Sequence, residues 1–178
     1  MNHEVFDDLR GYIDQVKTLG EYKLIEGADY DLEIGAITEW QASVPNSPLL
    51  LFDNIKGFES GYRVVSNLFT SEKRVALGLG FPSETRGLEL VKAWRDKLKQ
   101  KVKLIPPVEV ETCSIKENIH TDAEVDLFEF PTPKWHEYDG GRYIGTGDMV
   151  IIRDPDEGWV NIGTYRVQVH NKNTATIY

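Results

Sequence analysis

Asp139-Gly140-Gly141-Arg142-Tyr143-Ile144-Gly145-Thr146-Gly147-Asp148-Met149 opens the most informative stretch of this chain, and Trp159-Val160-Asn161-Ile162-Gly163-Thr164-Tyr165-Arg166 closes it. Asp139-Gly140-Gly141 is turn chemistry. Met149 to Arg153 is β-branched and predicts a strand. Asp154-Pro155-Asp156-Glu157-Gly158 reads as a hairpin turn. Trp159 to His170 predicts the next strand or strand pair. The glycines let backbone approach a ligand closely. Asn161 offers a neutral oxygen to a hard cation such as Mg²⁺ or Mn²⁺. Arg166 offers a rigid, permanently charged fork to a carboxylate or phosphate. The two are five residues apart, so a regular strand points them to opposite sides. A bulge or turn near Gly163 would re-aim them.

Downstream, Asn171-Lys172-Asn173 reads as a turn, and Thr174 to Tyr178 is β-prone, alternating and aromatic. A strand that begins and stops at once is expected of a fragment of a longer polypeptide. Upstream, Pro106-Pro107 marks a boundary. Between them, Val108 to Ile115 alternates and predicts a strand, and Asn118 to Asp126 is polar loop.

The part before the boundary mixes helix and strand. Glu4 to Leu19 is amphipathic through Phe6, Leu9, Ile13 and Val16, with Gly20 as C-cap. Tyr22 to Ile25 predicts a short strand. Leu32 to Ser43 predicts a helix capped by Asp31. Leu49 to Phe52 is a continuous apolar run, as expected of a buried strand. Arg63 to Leu68 predicts another strand, and Ser71 starts a helix to Leu79. Glu84 to Lys101 is the longest predicted helix, with Leu88, Val91, Trp94, Arg95 and Leu98 as its buried stripe. The expected fold is therefore α+β, with an α/β domain over residues 1–105 and a mainly β part over 106–178.

The 178 residues carry 40% hydrophobic and 28% charged side chains, an ordinary globular composition with room for a core. The formal net charge is −9, which disfavours binding a phosphate backbone and so argues against a nucleic-acid partner. The acid is uneven: residues 106–178 hold six Lys+Arg against thirteen Asp+Glu. An anion bound there needs backbone N–H groups, a metal ion or a few placed arginines. Cys113 is the one cysteine, so no disulfide forms within the chain, as expected of a cytoplasmic protein. No apolar run approaches the ~20 residues of a membrane span. The four histidines are far apart and give no zinc spacing. There is no phosphate loop, and Gly78-Leu79-Gly80 lacks the third glycine of a dinucleotide fingerprint.

Taken in order and spacing, several blocks resemble the UbiD-type decarboxylases, which use prenylated FMN. Asp8-Leu9-Arg10-Gly11-Tyr12-Ile13 is similar to the family's opening helix, and Tyr30 to Ile37 to its second. Leu50 to Gly57, Ser66 to Phe69 and Arg74 to Leu77 match its next blocks. The most specific match is Asp139 to Asp148 followed by Asn161-Ile162-Gly163-Thr164-Tyr165-Arg166.

The resemblance implies reversible, non-oxidative decarboxylation of an unsaturated or aromatic acid, with an aromatic or heteroaromatic one favoured. It implies that residues 106–178 begin an incomplete FMN-binding split β-barrel. It implies a flavin phosphate held through Mn²⁺ with K⁺ nearby, Asn161 as metal ligand, and Thr164, Tyr165 and Arg166 at the cofactor. Arg166 matches the arginine of the family's Glu-Arg-Glu network and would hold the substrate carboxylate. The family's other metal ligands and both catalytic acids lie beyond Tyr178, as does the domain that commonly mediates homo-oligomers. The isolated chain is therefore expected to be inactive. A rival expectation is a non-catalytic scaffold or partner subunit of the same ancestry, docking through Thr174 to Tyr178. Another is a simple flavin-binding split-barrel reductase.

Overall fold

A computed structural model describes residues 6–101, 103, 105–106 and 108–178. In chain order the elements are α1 (Leu9–Thr18), β1 (Tyr22–Glu26), α2 (Glu33–Ala42), β2 (Leu49–Asp53), β3 (Val64–Ser66), α3 (Glu72–Gly78), α4 (Gly87–Leu98), β4 (Arg142–Arg153), β5 (Val160–Asn171) and β6 (Thr174–Ile177). Three 3₁₀ turns lie between α4 and β4. The expected mixture of α and β is present. The chain forms two compact units, each discontinuous: residues 1–21 with 69–125, and residues 22–68 with 126–178.

The first unit is helical. Asp8 caps α1 by accepting from the Gly11 N–H at 2.8 Å. The expected start at Glu4 lies outside the described residues. Tyr12 and Ile13, with Val16 one helical turn further on, form the buried face of α1. Ser71 caps α3 by accepting from Arg74 N–H at 3.3 Å. The Arg74 side chain is fully buried. It donates to Glu21 Oε2 at 2.7 Å and to Thr70 Oγ1 at 2.5 Å. Burial acts to raise the Glu21 pKa. Hydrogen bonds from Ser71 and Lys73 and the Arg74 and Lys73 charges outweigh it, so the carboxyl sits below its ordinary range. Burial pushes the Tyr12 hydroxyl up to about 12.

Two expectations fail in this unit. The stripe of α4 expected to be buried is open: Leu88, Val91 and Leu98 are 67%, 63% and 63% exposed, and Arg95 is exposed too. Of the expected stripe only Trp94 is half-buried; the inward face carries Leu90, with Ala93 half-buried beside it. Lys97 continues that face, donating to the Leu79 carbonyl at 2.6 Å and sitting 5.1 Å from the Phe81 ring centroid. Both stripes have helical spacing, so periodicity alone does not choose between them. The strand expected over Val108 to Ile115 is not formed among the described residues. Its apolar members Val108, Val110 and Ile115 are exposed, so alternation there found no partner strand.

In the second unit, β1, β2 and β3 form a sheet in that order, β1 parallel to β2 and β2 antiparallel to β3. β2 is the core strand. Leu49, Leu50, Leu51 and Phe52 are all buried, and Leu50 and Phe52 share one core with Ala28, Ile34 and Ile55. The second helix starts one residue later than expected and without a side-chain cap. Leu32 holds the N-cap position at φ +71°, while Asp31 forms a parallel bridge with Lys134. Leu32 N–H donates to the Lys134 carbonyl, and Lys134 N–H to Tyr30, both at 3.0 Å. The N–H groups an Asp31 cap would have satisfied are bonded to backbone instead, Glu33 N–H to the Asp31 carbonyl at 3.0 Å and Ile34 N–H to the Asp29 carbonyl at 3.1 Å. Trp135 crosses α2 at Gly35, where an added Cβ would lie 2.6 Å from the Trp135 carbonyl carbon. Arg142, at the head of β4, lies over the rings of Tyr30, Phe128 and Phe58 at 4.3, 5.0 and 5.8 Å. It also donates to the carbonyls of Thr132 and Phe130, at 2.7 and 3.1 Å, and so ties the start of β4 in place.

Candidate functional site

The second sheet of this unit has the order β4-β5-β6, antiparallel throughout. The turn between β4 and β5 is built as its sequence requires. Asp154 Oδ1 accepts from the N–H groups of Asp156 (3.0 Å) and Glu157 (2.6 Å), and Gly158 takes φ +77°. Pairing then runs without a shift from Arg153↔Val160 to Asp148↔Tyr165. No bulge occurs at Gly163. Asn161 and Tyr165 therefore share one face with Gly163, and Thr164 and Arg166 share the other. The two register shifts lie in β4 instead, between Tyr143 and Gly145 and between Gly145 and Asp148. There β4 carries the extra residues, at its glycine-rich segment.

On the first face, the Tyr165 ring lies over Gly163, with its Cζ and Oη each 2.9 Å from where a Cβ would stand. Asp148 is directly across from Tyr165. Its carboxylate fills the space over Gly145, its Cγ 2.7 Å from an added Cβ. Asp148 Oδ2 is buried and has no hydrogen-bond partner among the described residues. Desolvation raises its pKa above the ordinary 3.8.

The second face carries a cavity of about 270 Å³ lined by Tyr143, Arg166, Gln168, Thr176 and Tyr178. Cross-strand register explains the set. Tyr143, Gln168 and Thr176 form one row across the three strands. Arg166 and Tyr178 form the next, joined by two backbone hydrogen bonds of 3.0 Å. The Arg166 guanidinium stands 4.7 Å from the Tyr178 ring centroid. It has no carboxylate partner among the described residues. Tyr143 Oη donates to Gln168 Oε1 at 3.4 Å. The cavity can thus hold a small planar anion: a charged fork at one end, two aromatic rings, and an amide.

Of the residues singled out from sequence, Arg166 lines this cavity, while Asn161 and Tyr165 belong to the opposite face. Thr164 shares the face of Arg166 but is not among the lining residues. Tyr143, Gln168, Thr176 and Tyr178 were not singled out as site residues. Counting in twos from Arg166 along β5 reaches Gln168, but the partners on β4 and β6 depend on register. For a metal ion the fit is poor. No group of three or more His, Cys, Asp or Glu side chains is placed to hold one among the described residues. A single amide oxygen does not make a Mn²⁺ or K⁺ site. For a flavin the cavity fits better: a guanidinium with no carboxylate partner among the described residues and two aromatic walls, with Asp148 on the opposite face of the sheet.

Comparison with known proteins gives a single family. Residues 13–94 match the 3-octaprenyl-4-hydroxybenzoate carboxy-lyase N-terminal domain (UbiD_N), and residues 107–178 match the Rift-related domain of the same enzymes (UbiD). Pyrrole-2-carboxylic acid decarboxylase of Pseudomonas aeruginosa is 30% identical over 94% of this chain and 35% of its own length. Vanillic acid decarboxylase of Sedimentibacter hydroxybenzoicus in its closed form superposes with a TM-score of 0.85 at 29% identity, over 98% of this chain and 37% of that one. The UbiD-class enzyme HmfF of Pelotomaculum thermopropionicum, solved in complex with prFMN, gives a TM-score of 0.76 at 25% identity, over 97% and 38%. The chain spans little more than a third of the length of these relatives. With both segments matching models of one family and together taking in most of its residues, the chain belongs to the UbiD family of carboxy-lyases.

Proposed function

We propose that this chain supplies part of the cofactor and substrate site of a reversible, non-oxidative decarboxylase acting on an aromatic or heteroaromatic carboxylic acid. The observation that carries this reading is Arg166: a guanidinium without an acidic partner among the described residues, stacked on Tyr178, at the edge of a cavity sized for one ring. Its two parallel N–H donors match a carboxylate and would hold the acid in one orientation. Prenylated FMN, when bound, supplies the electron sink that the protein lacks. Thr164, Tyr165 and Arg166 are the residues we assign to it, with Thr164 and Arg166 facing one side of β5 and Tyr165 the other. Asn161 is assigned at most one ligand position to Mn²⁺. No step is routed through that ion or K⁺, because the described residues assemble no site for either.

Among the described residues no carboxyl or imidazole group lines the cavity beside Arg166 to return a proton to the product carbon. The 178 residues alone are therefore expected to bind an aromatic acid without turning it over. The two family segments, 13–94 and 107–178, support dividing the chain near residues 105 and 106. A cytoplasmic homo-oligomer is the assembly this reading implies. The partner-subunit reading is favoured by one feature, the exposure of every residue of β6 at the sheet edge.

The deciding experiment is calorimetric titration of benzoate into the protein and into Arg166→Gln. Loss of about tenfold or more in affinity, with the circular dichroism spectrum unchanged, supports the assignment. Equal binding by both proteins refutes it.

A further inference from the structure

We infer that the outward seam of α4 is a docking surface for an acidic amphipathic helix of a partner protein. Leu88, Val91, Arg95 and Leu98 follow one another at spacings of three, four and three, and all four are exposed. Those are successive a and d positions of a heptad, the geometry of a helix that packs along a second helix. The protein holds the other side of α4 through Leu90, Trp94 and Lys97. The seam lies about 130° round the helix from Leu90, clear of that packing.

The charges beside the seam name its occupant. Lys92 and Lys99 take the two e positions, one helical turn beyond Leu88 and Arg95, on the flank open to solvent. The g flank carries Gly87 and the half-buried Trp94. Glu89 and Asp96 stand one row further round, away from the seam. Asp96 bonds Arg95 at 3.2 Å and Lys99 at 3.4 Å, and so offsets one of the three cations along the seam. A partner helix with carboxylates beside its apolar stripe meets Lys92 and Lys99 across the open flank. It meets Arg95 in the middle, where the guanidinium can take a carboxylate by two parallel bonds.

The same charges disfavour the other occupants. In a parallel pair of two copies, Arg95 would face Arg95 across the a layer. In an antiparallel pair the lysine flanks would face each other. A lipid surface would have to take Arg95 into the centre of the apolar stripe. The aromatic residue of the helix, Trp94, is turned inward rather than toward such a surface, and the chain's net charge of −9 repels anionic headgroups.

The test is fluorescence anisotropy of a labelled three-heptad peptide, with Leu at a and d and Glu at e and g, titrated with the protein. Its carboxylates meet Lys92 and Lys99 in either orientation. It is expected to bind at least about tenfold more tightly than the same peptide with Lys in place of Glu, and the difference should shrink in high salt. Val91→Ser and Leu98→Ser replace exposed side chains, so their melting temperatures should match that of the native protein. Their affinity for the acidic peptide should fall about fivefold or more. Lys92→Glu combined with Lys99→Glu is expected to reverse the preference toward the lysine peptide, a swap that a general loss of structure would not produce. The inference is overturned if the native protein binds neither peptide, if it binds both alike, or if the preference survives the double charge reversal. Sedimentation of the protein with phosphatidylserine vesicles, with the acidic peptide left free, would make the seam a lipid contact and overturn it too. So would dimerisation of the native protein that is lost in Leu98→Ser, which would make a second copy the occupant.

Discussion

β2 buries four of its five residues, whereas β4 and β6 bury none and β5 buries only Val169. The two sheets are of equal strand number and lie in the same compact unit. The first is wrapped. Ile34, Leu50, Phe52 and Ile55 are almost without solvent contact, and Trp135 and Tyr30 pack on the same core. The second keeps Met149, Ile151 and Ile162 exposed on one face, next to the cavity that holds Arg166. A sheet that holds a domain together and a sheet that presents chemistry make opposite use of apolar residues. The first turns them into stability by removing them from water. The second spends backbone on bulges, glycines and unpaired polar groups.

The sharpest way to break this comparison is a matched pair of truncations. Phe52→Ala is expected to destabilise by about 3–5 kcal/mol. Ile162→Ala, at a side chain 62% exposed, is expected to change stability by less than about 0.5 kcal/mol. Urea denaturation of the two variants measures both, and comparable losses would show that the second sheet is as structural as the first.

The arginines repeat the contrast with charge in place of hydrocarbon. Arg74 is buried and paired, and Arg166 is exposed without an acidic partner among the described residues. Glu21→Gln leaves the Arg74 charge without its anion and is expected to destabilise by about 3 kcal/mol. Arg166→Gln is expected to stay within about 0.5 kcal/mol of the native protein. The pH dependence sharpens this. The Glu21 carboxyl titrates below its ordinary 4.5, so its contribution is complete above that value. It is lost as pH falls through the depressed pKa. The native protein therefore loses stability steeply in that acid range, while Glu21→Gln follows a shallower curve. Parallel curves would count against the pairing.

The smallest expected effect has the opposite sign. Asp148 titrates above its ordinary 3.8, so stability falls as pH rises from about that value through the raised folded pKa, above which the cost of the buried ionised form is complete. Asp148→Asn is expected to melt slightly higher than the native protein at pH 7, and the gap should close as pH is lowered towards 4. A lower melting temperature at pH 7 would mean that the carboxylate has a partner in solution.

Local chemistry was legible wherever one short segment holds all the information it needs. The apolar run from Leu49 to Phe52 became the buried strand, Ser71 became a cap, and Asp154 to Gly158 became the hairpin turn. The order and spacing of the blocks around Asn161 and Arg166 carried the family. Other features required the folded chain, because they depend on what a segment meets far away. Helical spacing allowed two inward faces of α4, and packing took the one with Leu90. Asp31 had capping chemistry, but its backbone paired with Lys134. Val108 to Ile115 alternated without acquiring a partner strand. Most important for the site, the separation of Asn161 from Arg166 follows from strand periodicity. The bulges lie in β4 and not at Gly163, and the company Arg166 keeps with Tyr143, Gln168 and Tyr178 is set by the registers of β4 and β6. Periodicity is a property of one strand, and register is a property of two.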